Sequence, residues 1–339
     1  MSYTFKHRLS AVFFRLHGWY LRFSILHRWY FRILVQGTLL LAGSSAAFAD
    51  SLTPLVDQKE YNGISEAPKP SVKEDVSLNY SYVGSADLKS GLQGNLGEQT
   101  TQFGYSLMAP LNERLSLQLG LNYNRLDFGQ PAGSPLPYNL QTVSVSLGLS
   151  YKLSDKWSVF GAVMPRLELI DNADQIESQS FEVGGAIGAT YDFNPDLSLR
   201  FGLGINPGAL GIPVVPMVGV RWHFAKPWTL NVGFPRTSLD YQLLPNLRLS
   251  PIEVGFQGGS FHTSKNYGDS VGMSKLNDRN LDYNEVRVGA GADYAVMKNV
   301  NVELTGGAVV YREFDFDNAN FSPKVDPAPY VQLGIKVGF

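Results

Sequence analysis

Lys152, Arg166, Glu168, Glu182, Arg200, Arg221, Asp240, Glu253, Arg287, Asp293, Glu303 and Lys336 are the charged side chains best placed to do chemistry in this 339-residue sequence. Each falls in a stretch where apolar residues recur at every second position, and by parity each shares a face with Gly, Ser, Ala, Thr and Asn. If the opposite face meets lipid, these charges must meet water or one another, because Lys or Arg facing lipid at the midplane costs about 2–4 kcal/mol. The chemistry they suit is electrostatic: lining a water-filled lumen and tuning which solutes pass. Both signs occur, so strong ion selectivity is not expected.

Other chemistries lack their residues. Cysteine is absent, which excludes a thiol nucleophile, Cys-ligated metal and a disulfide scaffold. Beyond residue 49 only His223 and His262 remain. A lipid hydrolase needs a Ser–His pair oriented by a third group. Ser260 and Ser264 flank His262, but two residues away in a loop is not a hydrogen bond. Glu313, Asp315, Asp317 and Asp326 could hold Ca²⁺ through oxygen, yet such a cluster is more often a solvated loop edge. Gly202-Leu-Gly204 and Gly289-Ala-Gly291 lie inside strands, whereas a phosphate-binding glycine loop opens a helix. The expectation is no catalytic residue, no metal, no cofactor and no enzyme activity. Six of the 28 basic residues (Lys6, Arg8, Arg15, Arg22, Arg28 and Arg32) precede residue 50, and all 30 acids follow Ala49. The remaining body is acidic, which argues against nucleic acid as a partner.

The elements that must position the charges are strands. Val143, Val145, Leu147, Leu149 and Tyr151 alternate with Ser144, Ser146, Gly148 and Ser150, a period of two. Leu115 to Tyr123, Phe181 to Tyr191 and Val286 to Tyr294 repeat it. Fourteen segments carry the pattern: 76–86, 100–109, 115–126, 140–152, 157–167, 180–193, 197–205, 214–224, 228–235, 237–243, 247–260, 283–296, 300–314 and 329–339. Tight polar turns alternate with the longer loops 87–99, 127–139, 168–179, 206–213, 261–282 and 315–328, apart from a tight bend at Arg236. This sorting of connections fits an all-β, transmembrane, antiparallel up-and-down β-barrel. About 14 strands are predicted, with 12 as the alternative because the 228–243 hairpin is short and bounded by proline. The long 261–282 loop could either fold into the bore or meet an external partner.

Aromatic residues form two rows. Tyr151, Trp157, Tyr191, Phe193, Trp222, Phe224, Trp228, Tyr294 and Phe339 sit at short-turn ends, and Phe103, Tyr123, Phe181, Phe234, Tyr283 and Tyr330 near long-loop ends. Two such rows match the girdles of an outer-membrane barrel. Val331, Leu333, Ile335, Val337 and Phe339 share one face of the last strand. From Tyr330 through Ile335 and Val337 to the terminal Phe339, this strand resembles the C-terminal strand that the barrel-assembly machinery reads in bacterial outer-membrane proteins.

Ser77–Asp87 (SLNYSYVGSAD) and Pro213–Leu243 (PVVPMVGVRWHFAKPWTLNVGFPRTSLDYQL) resemble an uncharacterised family of outer-membrane barrels, a domain of unknown function. A Pro-x-x-Gly-Val-x-Trp strand at 216–222 precedes Gly-Phe-Pro at 233–235. The resemblance implies a fold and a location over about 76–339, and no activity or site residues.

Residues 1–49 read as an extended signal peptide: a basic stretch, the apolar run Ile33–Ala42, then Ala47-Phe48-Ala49 before Asp50. The apolar run falls short of the roughly 20 residues a spanning helix needs. Residues 50–75 read as a flexible periplasmic arm and 76–339 as the barrel. The expected place is the bacterial outer membrane, among its lipids, after export through a cleaved N-terminal signal. The expected function is porin-like, passive diffusion of small hydrophilic solutes. The alternatives are a closed structural or adhesive barrel acting through its loops and, least favoured, a lipid hydrolase. The oligomeric state is left open.

Overall fold

Period-two sequence closes on itself in the computed structural model, which describes residues 71–171, 176–205 and 214–339. The leader, Ala47, Ala49, Asp50 and the arm as far as residue 70 lie outside the described residues. The strands are β1 (Lys73–Asp87), β2 (Asn95–Pro110), β3 (Leu115–Gly129), β4 (Asn139–Lys152), β5 (Trp157–Ile170), β6 (Phe181–Asn194) and β7 (Leu197–Ile205). They continue with β8 (Val214–Ala225), β9 (Trp228–Val232), β10 (Arg236–Leu244), β11 (Leu247–His262), β12 (Asn280–Met297), β13 (Val300–Phe316) and β14 (Ala328–Gly338). Each pairs antiparallel with its sequence neighbours, and β1 pairs with β14 to close a 14-stranded barrel. The β1–β14 pairing removes the two end-strand edges that an open sheet would present. Among the described residues no helix is long and apolar enough to cross a membrane.

The short turns are built by side chains that cap backbone donors. Asn112 Oδ1 accepts from the amides of Arg114 at 2.8 Å and Leu115 at 2.9 Å. Ser154 Oγ accepts from Lys156 and Trp157, and Asn194 Oδ1 from Asp196. These local bonds offer the chain an alternative to continued pairing, which is why Asn and Ser favour turns.

The outer face is apolar and exposed, as in Leu78, Leu121, Val145, Leu147, Ile187, Val218, Leu304 and Leu333. Several strands run further than their alternation suggests, because pairing continues past the lipid-facing stretch. β1 begins at Lys73, where Lys73 pairs with Met108 and Asp75 with Gly338, so the last residues assigned to the arm belong to the wall. β2 begins at Asn95, and β11, β12 and β13 reach His262, Asn280 and Phe316. Two of the aromatic assignments are corrected. Tyr283 and Tyr330 are buried on the inner face, because on β12 the inward set is Leu281, Tyr283, Glu285 and Arg287, and on β14 it includes Ala328, Tyr330 and Gln332.

Strand height is uneven around the wall. β12 and β13 have 18 and 17 residues, whereas β9 has five. At the long-loop end β5 and β11 come into contact although five strands separate them along the wall. The single turn Ser178–Ser180 lies against both.

Candidate functional site

At the long-loop end the lumen is filled. Leu96 on β2, Leu126 and Phe128 on β3, Leu140 on β4, Phe261 on β11, Leu281 and Tyr283 on β12 and Phe314 and Phe316 on β13 point inward and are buried together. Loops complete this cap: Leu136, Tyr267, Leu276, Phe321 and Val325 belong to the same core. The 261–282 loop therefore folds into the mouth. The Tyr267 hydroxyl donates to the Pro135 carbonyl at 2.9 Å, and the Thr263 hydroxyl to the Leu276 carbonyl at 2.8 Å. Asp171, following β5, pins the adjoining edge by accepting from the amides of Tyr138 at 2.6 Å and Asn139 at 3.0 Å. Burial raises the Asp171 carboxyl above the usual aspartate pKa, and those two amides partly offset the rise.

Beneath the cap lies a buried ionic group. Glu98 on β2 faces Glu285 and Arg287 on β12 and Arg312 on β13. Arg287 Nη2 donates to Glu98 Oε1 at 3.0 Å, and its Nε to Glu285. Arg312 Nε lies 3.3 Å from Glu285 Oε2, and its Nη1 lies 3.7 Å from Glu98 Oε2. The Tyr283 hydroxyl is 2.6 Å from Glu98 Oε2 and 2.7 Å from Glu285 Oε2. Arg287 Nη1 also donates to Ser81 Oγ at 2.9 Å. Two guanidinium and two carboxyl groups balance here, as buried charges must. Asn79, Ser81, Thr100, Gln102, Arg287 and Gln332 line a polar recess at its edge.

The sequence-derived charges separate into groups. Arg166 on β5 pairs with Glu168 at 2.8 Å and with Glu182 on β6, all facing inward. On β10 to β13, Arg236 Nη2 reaches Glu253 at 2.7 Å and Glu303 at 3.2 Å. Beside them Asp240 accepts from Asn231 at 2.8 Å and from Ser250 at 2.7 Å. Asp293 pairs with Arg248 at 2.7 Å and Lys336 with Asp75 at 3.7 Å, both toward the short-turn end. Arg200 lies over the Phe160 ring at 5.4 Å. Arg221 is on the inner face of β8 near His223, and Lys152 pairs with Asp155 at the β4–β5 turn. Of the charges picked from the sequence only Arg287 belongs to the ionic group under the cap.

Glu98, Glu285, Tyr283 and Arg312 are the inner residues that sequence reasoning missed. Glu98 precedes the expected start of its strand. Arg312 is placed by an irregularity: Val286 pairs with Tyr311 but Arg287 with Val309. Val310 bulges and is exposed, so counting by twos from Glu303 puts Arg312 on the wrong face.

His262 and the loop acids are otherwise engaged. His262 Nδ1 lies 2.8 Å from Asn280 Oδ1, and its Nε2 lies 3.0 Å from Asp278 Oδ1. Glu313 meets Tyr311 and Lys324, Asp315 meets Ser322, Asp317 meets Asn318 and Asp326 meets Lys89. Among the described residues no group of acids or histidines forms a metal cluster.

Solved barrels resemble the chain at low identity. A FadL homologue from Pseudomonas aeruginosa is 11% identical with a TM-score of 0.46, over 79% of this chain and 90% of that one. The toluene transporter TodX from P. putida is 10% identical with a TM-score of 0.40, over 80% and 90%. The translocator domain of the autotransporter NalP from Neisseria meningitidis is 11% identical with a TM-score of 0.37, over 85% and 94%. At TM-scores under 0.5 none of these likenesses bears on what this barrel does. Among curated proteins, no sequence matches. The sequence from Val76 to Gly338 matches one family model, and the chain belongs to that family, described as a domain of unknown function (DUF6268) and matched over residues 76–338.

Proposed function

We propose that this chain is a channel-type barrel of the bacterial outer membrane, passing small hydrophilic solutes through a lumen that rests closed at its long-loop end. The observation that carries the reading is the inner wall on the short-turn side of the ionic group. There Ser77, Asn79, Gln102, Ser106, Asn122, Ser150, Thr190, Arg221 and Asp293 face inward, opposite an outer face of Leu, Val, Ile and aromatic residues. A polar inner wall serves water and solutes, and selectivity follows from its donors, acceptors and charges. The cap makes the outward step a gated one, because Tyr267, Leu276 and Phe321 hold loops inside the mouth. Export through the leader and recognition of the last strand by the barrel-assembly machinery belong to the same reading.

Single-channel recording of refolded residues 50–339 in a planar bilayer tests it. The wild-type barrel is expected to open rarely, and a variant carrying Tyr267→Ala and Leu276→Ala to open often. The same cap favours a second reading, a closed barrel that works through its outer loops. Silence from both proteins, each folded, would select that reading and end the channel proposal.

A further inference from the structure

Among the described residues, the wall is incomplete above the β9–β10 hairpin. β8 pairs with β9 only at Val220, Arg221, Trp222 and Ala225, and β10 pairs with β11 only as far as Arg236 with Gly255. From Val214 to Gly219, β8 has a described partner only in β7, and beyond Gly255 β11 pairs only with β12, apart from the Phe256 amide donating to the Pro235 carbonyl at 3.0 Å. At about 3.3 Å per residue and a tilt of about 40°, the five residues of β9 rise roughly 13 Å, about half of a lipid-facing band of about 25 Å. The outer face beside the gap is apolar to the top of the neighbouring strands: Val183, Ile205, Val214 and Val218 are exposed. Lipid therefore reaches the level of the gap. Lipid cannot satisfy open backbone edges, and such edges persist only where they are buried in protein or line a water-filled cavity.

The lumen behind the gap differs from the rest of the inner wall. Phe160, Ala162, Met164 and Ala186 form a buried apolar cluster with Met217 packed against it, and Val215 is buried beside Met217 on the inner face of β8. The Phe160 ring lies against Gly188, where a Cβ would come to 2.6 Å from its Cζ. On the other side of the gap, Gln257 faces inward from the β11 edge. Its amide nitrogen is buried and donates to no described group. An apolar strip serves no hydrophilic solute, and a buried donor without an acceptor is costly unless a ligand supplies one.

We propose that the gap between β8 and β11 is a side opening through which a single-chain amphiphile, an apolar body with one oxygen-bearing polar end, passes between the bilayer and the lumen. The apolar body lies on Met217, Val215 and the Phe160 cluster, and the polar end accepts from the Gln257 amide and the open strand edges. This passage does not depend on axial conductance, so it stands or falls separately from the closed-channel reading.

The absence of cysteine permits a clean test. Met217→Cys, Val218→Cys and Ser146→Cys are made singly in the full chain and reconstituted in phospholipid vesicles with a maleimide that partitions into the bilayer. Val218 is exposed on the outer face, and Ser146 is buried on the inner face away from the gap. Labelling follows access to the thiol, so Met217→Cys is expected to react about tenfold faster than Ser146→Cys, near the rate of Val218→Cys. Decanoic acid is expected to slow Met217→Cys and leave Val218→Cys unchanged, and Gln257→Leu to weaken that protection. Heat-modifiable gel mobility verifies folding, and Val215→Cys replaces Met217→Cys if that variant fails to fold. Equal rates at Met217→Cys and Ser146→Cys in folded barrels would overturn the opening. Fast labelling with no effect of decanoic acid would overturn the amphiphile.

Discussion

Phe128 and Phe314 meet edge to face across the barrel, with ring centroids 5.1 Å apart, although β2, β1 and β14 lie between their strands along the wall. Tyr283 joins them at 5.5 Å and 4.9 Å. Rings from strands that are not neighbours in the wall touch here inside the lumen, and with the buried residues around them they make the long-loop end a packed core. Phe314→Ala is therefore expected to behave as a core truncation, costing about 3–5 kcal/mol by transfer and cavity terms. Urea unfolding in lipid vesicles measures the loss. The same variant is expected to raise open probability in a planar bilayer. A destabilised barrel that stays silent would separate the cap's packing role from gating.

The ionic group below these rings makes a different prediction. Arg312 is fully buried beside Glu98 and Glu285. Removing one partner of a buried pair leaves a charge uncompensated and costs about 3–5 kcal/mol. Arg312→Met should show that loss by urea unfolding, and adding Glu285→Gln to the same chain should recover part of it. The two substitutions would then be clearly non-additive, as expected for residues in one network. Strict additivity would mean that Arg312 and Glu285 do not interact.

These two groups also mark where sequence reading stops. The fourteen strands, their turns and the lipid-facing residues were legible because they are one-dimensional: Val143 and Val145 share a face whatever the rest of the barrel does, and Asn112 caps amides two and three residues away. Membrane solvent sharpens that pattern by penalising every exception on the outer face. What fills the lumen depends on which strands face each other across it, and no local period records that. Glu98 meets Arg287 across a separation of 189 residues. Arg312 was hidden further by the bulge at Val310, which reverses the parity of β13 beyond Val309. Tyr283 and Tyr330 were assigned to a lipid-facing row because aromatic type was weighed over parity. The closure of the mouth was left open for the 261–282 loop because composition alone does not reveal which of its apolar residues, such as Leu276, are buried.

Asp171 gives the cap a pH dependence. It is held beyond the end of β5 by two amide donors, in a left-handed conformation at φ 58°. Because burial raises its pKa in the folded state, ionisation costs more there than in the unfolded chain. Its contribution to stability is present below the unfolded aspartate pKa and falls as pH rises through the folded value. Asp171→Asn keeps an acceptor for both amides, tolerates the left-handed backbone and removes the ionisation. The variant is expected to match wild type at low pH and to exceed it near neutrality, with a flatter profile of thermal stability against pH. A profile unchanged by the substitution would show that Asp171 carries none of this dependence.

Phe339 closes the barrel seam. Its amide donates to the Glu74 carbonyl at 2.8 Å, and Gly338 to Val331 pair with Asp75 to Tyr82 below it. Its ring is exposed on the outer face at the short-turn end, where nothing in the barrel core depends on it. Deleting Phe339 removes one end of the seam and leaves the register from Asp75 onward intact. Purified protein should therefore still refold in lipid vesicles, with a loss of about 1 kcal/mol for the hydrogen bond. Assembly in cells is a separate quantity, because an exposed aromatic ring with no packing role is available for recognition. The deletion is expected to lower the amount of folded barrel in isolated outer membranes well beyond its effect on refolding. Equal losses in both assays would mean that Phe339 acts through stability alone and is not read during assembly.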